Sequence, residues 1–240
     1  MRSTAGESAT DAELHKSLML SSPEQIFDSC LDEIVANGDL VLDAGCGAGK
    51  FFRADFARRT ACQVLGVDMG PGIAANNDLH LRARADLSSL PLAANSIDVV
   101  VCRLVVEHLP EPQLAFREFH RILRPSGKLA IFTPNLLHYY GAAARLTPHW
   151  FHVWFNRTRG FVSTDIFPTF YRANTRRQLE SLLAKVGFGC VSVISIEGEP
   201  DALRFSRVFH SFGRVYRNVV SRFESLSPFR MNLIVTARKS

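Results

Sequence analysis

The chain has 240 residues, 47% of them hydrophobic and 21% charged, enough to bury a sizeable core. That excludes an intrinsically disordered chain and makes one domain with an elaboration the expected organisation. Five scattered cysteines with no CxxC pair exclude a disulfide framework and a cysteine-based zinc site. The net charge of +5 is unevenly divided: residues 1–144 hold 13 Lys/Arg against 17 Asp/Glu, and residues 145–240 hold 15 against 6. The basic C-terminal part suits an anionic substrate, a membrane surface or nucleic acid, and equally suits solvated arginine-rich helix faces.

Met1 to Lys16 are polar and lack the apolar stretch of a signal peptide, so a cytoplasmic protein is expected. No apolar run approaches the roughly 20 residues of a membrane-spanning helix. After a loose N-terminal arm, Ser22-Pro23-Glu24 predicts a helix start, with Ile26, Cys30, Leu31 and Ile34 at helical spacing and Asn37-Gly38 as the stop. Leu40 to Leu42 is an apolar strand candidate that runs into glycines at 45–49, with a helix to about Arg59. Gln63 to Val67, His80 to Arg84, Ile97 to Cys102 and Lys128 to Phe132 follow as strands. Between the last two a helix is expected from Glu111 to Leu123, closed by Arg124-Pro125-Ser126-Gly127. Buried strands alternating with helices predict a parallel sheet covered on both faces.

That rhythm breaks after Pro134. Residues 138–171 hold ten of the 24 aromatics, both tryptophans included. A helix is expected after Asn174-Thr175, with Leu179, Leu182, Leu183 and Val186 on one stripe, and strands at Cys190–Ile196 and Met231–Ala237.

The chemistry concentrates in Val41-Leu42-Asp43-Ala44-Gly45-Cys46-Gly47-Ala48-Gly49. A strand entering glycines lets a ligand approach the backbone. A phosphate-cradling P-loop would need glycine where Ala44 stands and Ser or Thr where Phe51 stands. The dinucleotide fingerprint G-x-G-x-x-G also fails, because the spacing is G-x-G-x-G. Asp43 would suit a bound cation and oppose a pyrophosphate. Asp68, about 20 residues on at the end of the second predicted strand, is placed to accept ribose hydroxyls. A carboxylate at Asp86 suits the exocyclic amine of a base, with Leu87 against its face. Together these describe a nucleoside with a charged tail and no phosphate.

The strings VLDAGCGAG, RADLSSLP, IDVVVCRLVVEHLP and ILRPSGKLAIFTPN, with Asp68 between the first two, resemble class I S-adenosylmethionine (SAM) dependent methyltransferases in order and spacing. The similarity is to the small-molecule branch that includes ubiquinone and sterol methyltransferases. It covers about residues 38–135; residues 174–238 are compatible, and the aromatic segment lies outside the common pattern. The resemblance implies a doubly wound, Rossmann-like seven-stranded α/β sheet with its last strand antiparallel and helices on both faces. It divides a single domain into an N-terminal arm and helix (1–37), a SAM-binding core (38–135), an aromatic lid insertion (136–173) and a C-terminal helix with strands (174–240). SAM is the implied cofactor. The implied set around it is Asp43, Gly45, Cys46, Gly47, Gly49, Asp68, Met69, Asp86, Leu87 and Arg103, with no metal.

Methyl transfer from a sulfonium is an in-line displacement, so alignment and desolvation dominate. A hydroxyl acceptor benefits from a base, for which His108, His138, His149 and His152 are candidates; His108 alternatively packs and hydrogen-bonds. His138, Tyr139, Tyr140, Trp150 and Tyr171 are the acceptor-side candidates, because ligands of open α/β sheets bind at the carboxyl ends of the strands. The expected acceptor is a small molecule, free or glycan- or lipid-linked, methylated at oxygen, with nitrogen or carbon as alternatives. Peripheral membrane contact is compatible with aromatics beside arginines. Cys102-Arg103-Leu104-Val105 replaces the Asn/Asp-Pro-Pro-aromatic tetrad of DNA amino-methyltransferases, so DNA is not an expected substrate. A non-catalytic SAM-binding module and a nicotinamide-dependent oxidoreductase are the rivals, and cofactor titration separates the latter.

Overall fold

The computed structural model describes residues 22–49, 61–146 and 167–240. The helix expected after the glycine turn, the N-terminal arm, and Trp150, Trp154, His149 and His152 lie outside them. Helix α1 (Pro23–Ile34) starts at a reciprocal cap: the Ser22 hydroxyl accepts from the Gln25 amide and the Gln25 side chain accepts from the Ser22 amide. Its buried stripe is Ile26, Phe27 and Leu31.

The strands are β1 (Leu40–Ala44), β2 (Gln63–Asp68), β3 (Leu81–Arg84), β4 (Ile97–Arg103), β5 (Leu123–Pro134), β6 (Phe188–Ile196) and β7 (Asn232–Lys239). They form one sheet in the order β3-β2-β1-β4-β5-β7-β6. Neighbours from β3 through β5 pair in parallel, whereas β7 runs antiparallel to both β5 and β6. The remaining helices are α2 (Pro112–Ile122), α3 (Tyr139–Leu146), α4 (Arg176–Val186) and α5 (Arg207–Arg222).

Alternation along the strands sorts side chains to the two faces. Val41, Val64, Val99 and Val101 pack with Phe27 and Leu31 of α1. Leu42, Leu65, Val100 and Cys102 pack with Phe116 and Phe119 of α2 and Leu179 and Leu183 of α4. Helices thus cover both faces. Thr175 caps α4 by accepting the Gln178 amide, and Gly187 ends it in the left-handed conformation at φ +108°.

Two features depart from the expected elements. β5 begins at Leu123, directly after α2, and the register against β4 jumps between Ile97 and Val99. Arg124 to Gly127 therefore bulge within the strand: Ser126 takes φ +65°, and Arg124 reaches back to the Asp98 carboxylate at 2.5 Å. Helices α3 and α5 have no counterpart among the predicted elements.

Candidate active site

The glycine turn sits where β1 leaves the sheet, and its shape is set by neighbours more than by the glycines alone. The Gly45 amide donates to the Val67 carbonyl at 2.7 Å and the Gly47 amide to Asp68 Oδ2 at 2.9 Å. Gly45 has φ +81°, and a Cβ there would lie 2.3 Å from the Val105 side chain just past β4. A Cβ on Gly49 would meet the Asn76 amide at 2.6 Å. At Gly47, by contrast, a Cβ would enter open space. Packing thus excludes a side chain at Gly45 and Gly49, and at Gly47 the φ of +50° disfavours one.

Asn76 is a determinant the sequence analysis missed. It is fully buried, and its Nδ2 donates to the Cys46 and Gly47 carbonyls at 3.3 and 3.4 Å while its Oδ1 accepts the Asp78 amide. Its one sequence signal is an asparagine in the short, polar stretch between β2 and β3, and that signal does not tell a turn residue from a buried clamp.

Two carboxylates define the electrostatics. Asp43 is buried, and its carboxyl is pushed up to about 7, first by burial and then by the Asp68 charge, with Arg103 opposing. Asp68 accepts the Gly47 amide on one oxygen and the Gly70 amide, at 2.6 Å, on the other. Each oxygen keeps lone-pair capacity for one further donor, which matches two ribose hydroxyls. A buried carboxylate that burial and a like charge hold towards neutrality is relieved by a cation. This donor set therefore fits a cationic nucleoside such as SAM and disfavours a pyrophosphate. Cys46 is buried on the same turn, and its thiol is raised to about 12 by burial and by Asp43 and Asp68, so it stays neutral.

The other predicted cofactor residues spread outward from this centre. Met69 is exposed beside Asp68. Asp86 is exposed and accepts the amide and hydroxyl of Ser88, whereas Leu87 is buried in the cluster shared with α2 and α4. Arg103, at the end of β4, lies over the rings of Phe27 and Phe132 and pairs with Asp28 at 3.6 Å. It ties α1 to the carboxyl edge of the sheet.

The acceptor-side candidates fall into two groups. In the first, His108 ends the turn Val106–His108, and its Nδ1 lies 2.8 Å from the Pro168 carbonyl. A carbonyl only accepts, so Nδ1 carries a proton, and in the neutral ring Nε2 holds the lone pair. The same turn anchors the following segment: the Glu107 carbonyl accepts the amides of Phe170 and Tyr171. The Glu107 side chain is buried and shifted up by burial; it accepts from Thr133, whose hydroxyl accepts in turn from Asn174. Tyr171, half-buried at φ +51°, is raised to about 12 by burial and the Glu107 charge.

In the second group, His138, Tyr139 and Tyr140 follow β5 and meet Tyr216 of α5. The His138 ring centroid is 4.1 Å from Tyr139, 5.1 Å from Tyr140 and 5.4 Å from Tyr216. His138 is buried; its Nδ1 accepts the Tyr140 amide at 3.2 Å, so Nε2 bears the proton and faces Glu197 at 3.5 Å. Its lone pair is already used. Glu197 and Tyr216 joined this cluster through β6 and α5, distances in sequence that no local motif marks.

Residues 42–131 match the methyltransferase-domain family. A probable SAM-dependent methyltransferase of Mycobacterium tuberculosis (strain ATCC 25618 / H37Rv) is 42% identical over 103 residues, which are 40% of this chain and 35% of the relative. A ubiquinone biosynthesis O-methyltransferase of Pseudomonas entomophila is 35% identical over 115 residues, 44% of this chain and 49% of the relative. The chain thus spans half or less of the length of these curated relatives. Among solved structures, a SAM-dependent methyltransferase of Archaeoglobus fulgidus superposes with a TM-score of 0.59 at 18% identity, covering 90% of this chain and 94% of that one. The [4+2]-cyclase SpnF superposes at 0.60 with 20% identity, covering 92% and 84%. These structures share the fold. Residues 42–131 thus match a methyltransferase domain, and the relatives named as SAM-dependent support SAM as the cofactor.

Proposed function

We propose that the chain transfers a methyl group to a hydroxyl oxygen of a small-molecule acceptor, free or carried on a sugar or lipid, with His108 as general base. The observation that carries this reading is the Nδ1 contact of His108 with the Pro168 carbonyl at 2.8 Å, which leaves Nε2 as a lone-pair nitrogen on the turn just past β4. Once bound, SAM would supply an electrophilic methyl on its sulfonium, with the neutral thioether as the leaving group. His108 Nε2 takes the hydroxyl proton. Asp43 and Asp68 hold the cationic nucleoside, and Tyr171 with the 167–170 segment covers the approach and excludes water.

A relative named as a ubiquinone biosynthesis O-methyltransferase supports oxygen as the acceptor atom. Another of the matched relatives, from Methylovorus, is named a malonyl-[acyl-carrier protein] O-methyltransferase, which supports an acceptor borne on a carrier. The fold is also that of a [4+2]-cyclase, so activity is the deciding measurement. The test incubates the chain with methyl-labelled SAM and fractionated cell extract and follows label into products by mass spectrometry. A labelled product whose methyl is lost as methanol or retained as an ether identifies oxygen. Label on an amine or carbon overturns the oxygen assignment, and no transfer to any fraction despite SAM binding overturns the catalytic reading.

A further inference from the structure

Helix α5 is close-packed on one side and bare on another. A Cβ on Gly213 would lie 2.7 Å from Pro200, Val220 is buried, and the Tyr216 hydroxyl donates to the Phe229 carbonyl at 2.8 Å. These contacts fix how the helix is rotated. Roughly a third of a turn from Gly213 and Val220, Val208, Phe212, Val215 and Val219 line up at helical spacing. Val208 is 78% exposed, Phe212 66% and Val215 62%. Phe205, Phe209 and Phe223 extend this apolar surface around and beyond the helix and are also exposed.

The charge beside the stripe has one sign. Residues 202–223 contain five arginines and no carboxylate. Two of the five are engaged: Arg204 with Asp201 and Arg217 with Glu199, both at 2.9 Å. Arg207, Arg214 and Arg222 are exposed and form no ion pair among the described residues; Arg222 borders the stripe, and Arg207 and Arg214 lie further round on the same side.

We infer that α5 docks the protein on an anionic membrane surface, with the valines and phenylalanines inserted at the acyl boundary and Arg207, Arg214 and Arg222 at lipid phosphates. A helix with a large apolar face and an arginine-bearing polar face lies in the plane of a bilayer interface. A protein groove would have to match the exposed Val208, Phe212 and Val215 and the arginines without ion pairs separately; an anionic bilayer supplies both over one continuous surface. The placement gives the contact a use. Tyr216, on another side of the same helix, touches His138 and Tyr139 just past β5, so docking sets the carboxyl edge of the sheet beside the lipid. The inference does not depend on the acceptor atom or on catalysis.

The test is flotation of the full chain with vesicles of phosphatidylcholine, with and without phosphatidylglycerol. The chain is expected to float with the anionic vesicles and to be released by high salt. Phe212→Glu should lower partitioning at least about tenfold, and Arg207→Gln, Arg214→Gln or Arg222→Gln roughly fivefold each, as expected for about one unit of basic charge near the surface. Circular dichroism melting checks that the variants stay folded, and SAM binding by calorimetry reports separately on the methyltransferase site. Absence of flotation by the parent chain, or flotation of Phe212→Glu equal to the parent, overturns the inference. A dimer in vesicle-free sedimentation that Phe212→Glu dissolves would overturn it too, by assigning the face to a second copy.

Discussion

The turn after β1 and the cluster after β5 are both built at the carboxyl edge of one sheet, by different means. At the first, nearly every determinant lies within a short stretch: Asp43, the glycines and Asp68 are joined by backbone bonds across paired neighbours β1 and β2. At the second, His138 meets Glu197 and Tyr216, and at the neighbouring turn after β4 Thr133 donates to Glu107 and accepts from Asn174, across separations of 26 to 41 residues for the hydrogen bonds and further for the pair. The difference is one of demand. A fixed nucleoside calls for a backbone cradle, which short motifs encode; an acceptor site calls for side chains gathered from several elements, which each protein can vary.

The two regions separate experimentally, because one should govern cofactor affinity and the other turnover. The largest effect is expected at His108. His108→Gln should lower turnover by roughly 10²–10⁴ while leaving SAM affinity within a few-fold, measured by initial rates and calorimetry. Parental turnover would remove the base and leave alignment alone as the catalyst.

Asp43→Asn should weaken SAM by about a hundredfold, since a charge-assisted contact in a buried site is lost. The pH dependence sharpens this. A carboxyl raised to about 7 in the folded chain favours the fold most at low pH, and that contribution fades as pH rises from about 4 through 7. A bound cation favours the ionised form, so SAM should bind more tightly at pH 8 than at pH 6 and release a proton below pH 7. Calorimetry in buffers of different ionisation enthalpy measures that proton, and Asp43→Asn should abolish it. A pH-independent affinity would place the cation elsewhere.

Asp68→Ala should weaken SAM by about 1.5–3 kcal/mol. It should also lower the melting temperature, because Asp68 holds the Gly47 and Gly70 amides; Asp68→Asn should retain more of that stability. The smallest effects are expected at the rings. Tyr140→Ala and Tyr171→Ala should each cut turnover at least about tenfold with SAM affinity little changed. If both turn over normally, these rings serve packing, and the acceptor must be sought against the 147–166 segment or the N-terminal arm.

The sequence by itself determined the parallel α/β order, the boundaries of most strands within a residue or two, and the carboxylate–glycine turn after β1 that is proposed to hold the cofactor. These were legible because they are local: a buried strand writes a continuous apolar run, a glycine at positive φ leaves its own mark, and an acidic residue ends a strand at a fixed distance. Tertiary structure decided the rest. Nothing near Asn76 announces that it clamps the glycine turn, and nothing near Gly45 shows that Val105, sixty residues on, forbids a side chain there. The helical period of Val208, Phe212, Val215 and Val219 is present in the sequence, but periodicity reports only that four side chains share a face. Which face meets the protein was settled by Gly213 packing against Pro200 and by Val220 sinking into the body, contacts between segments that no pattern within α5 encodes.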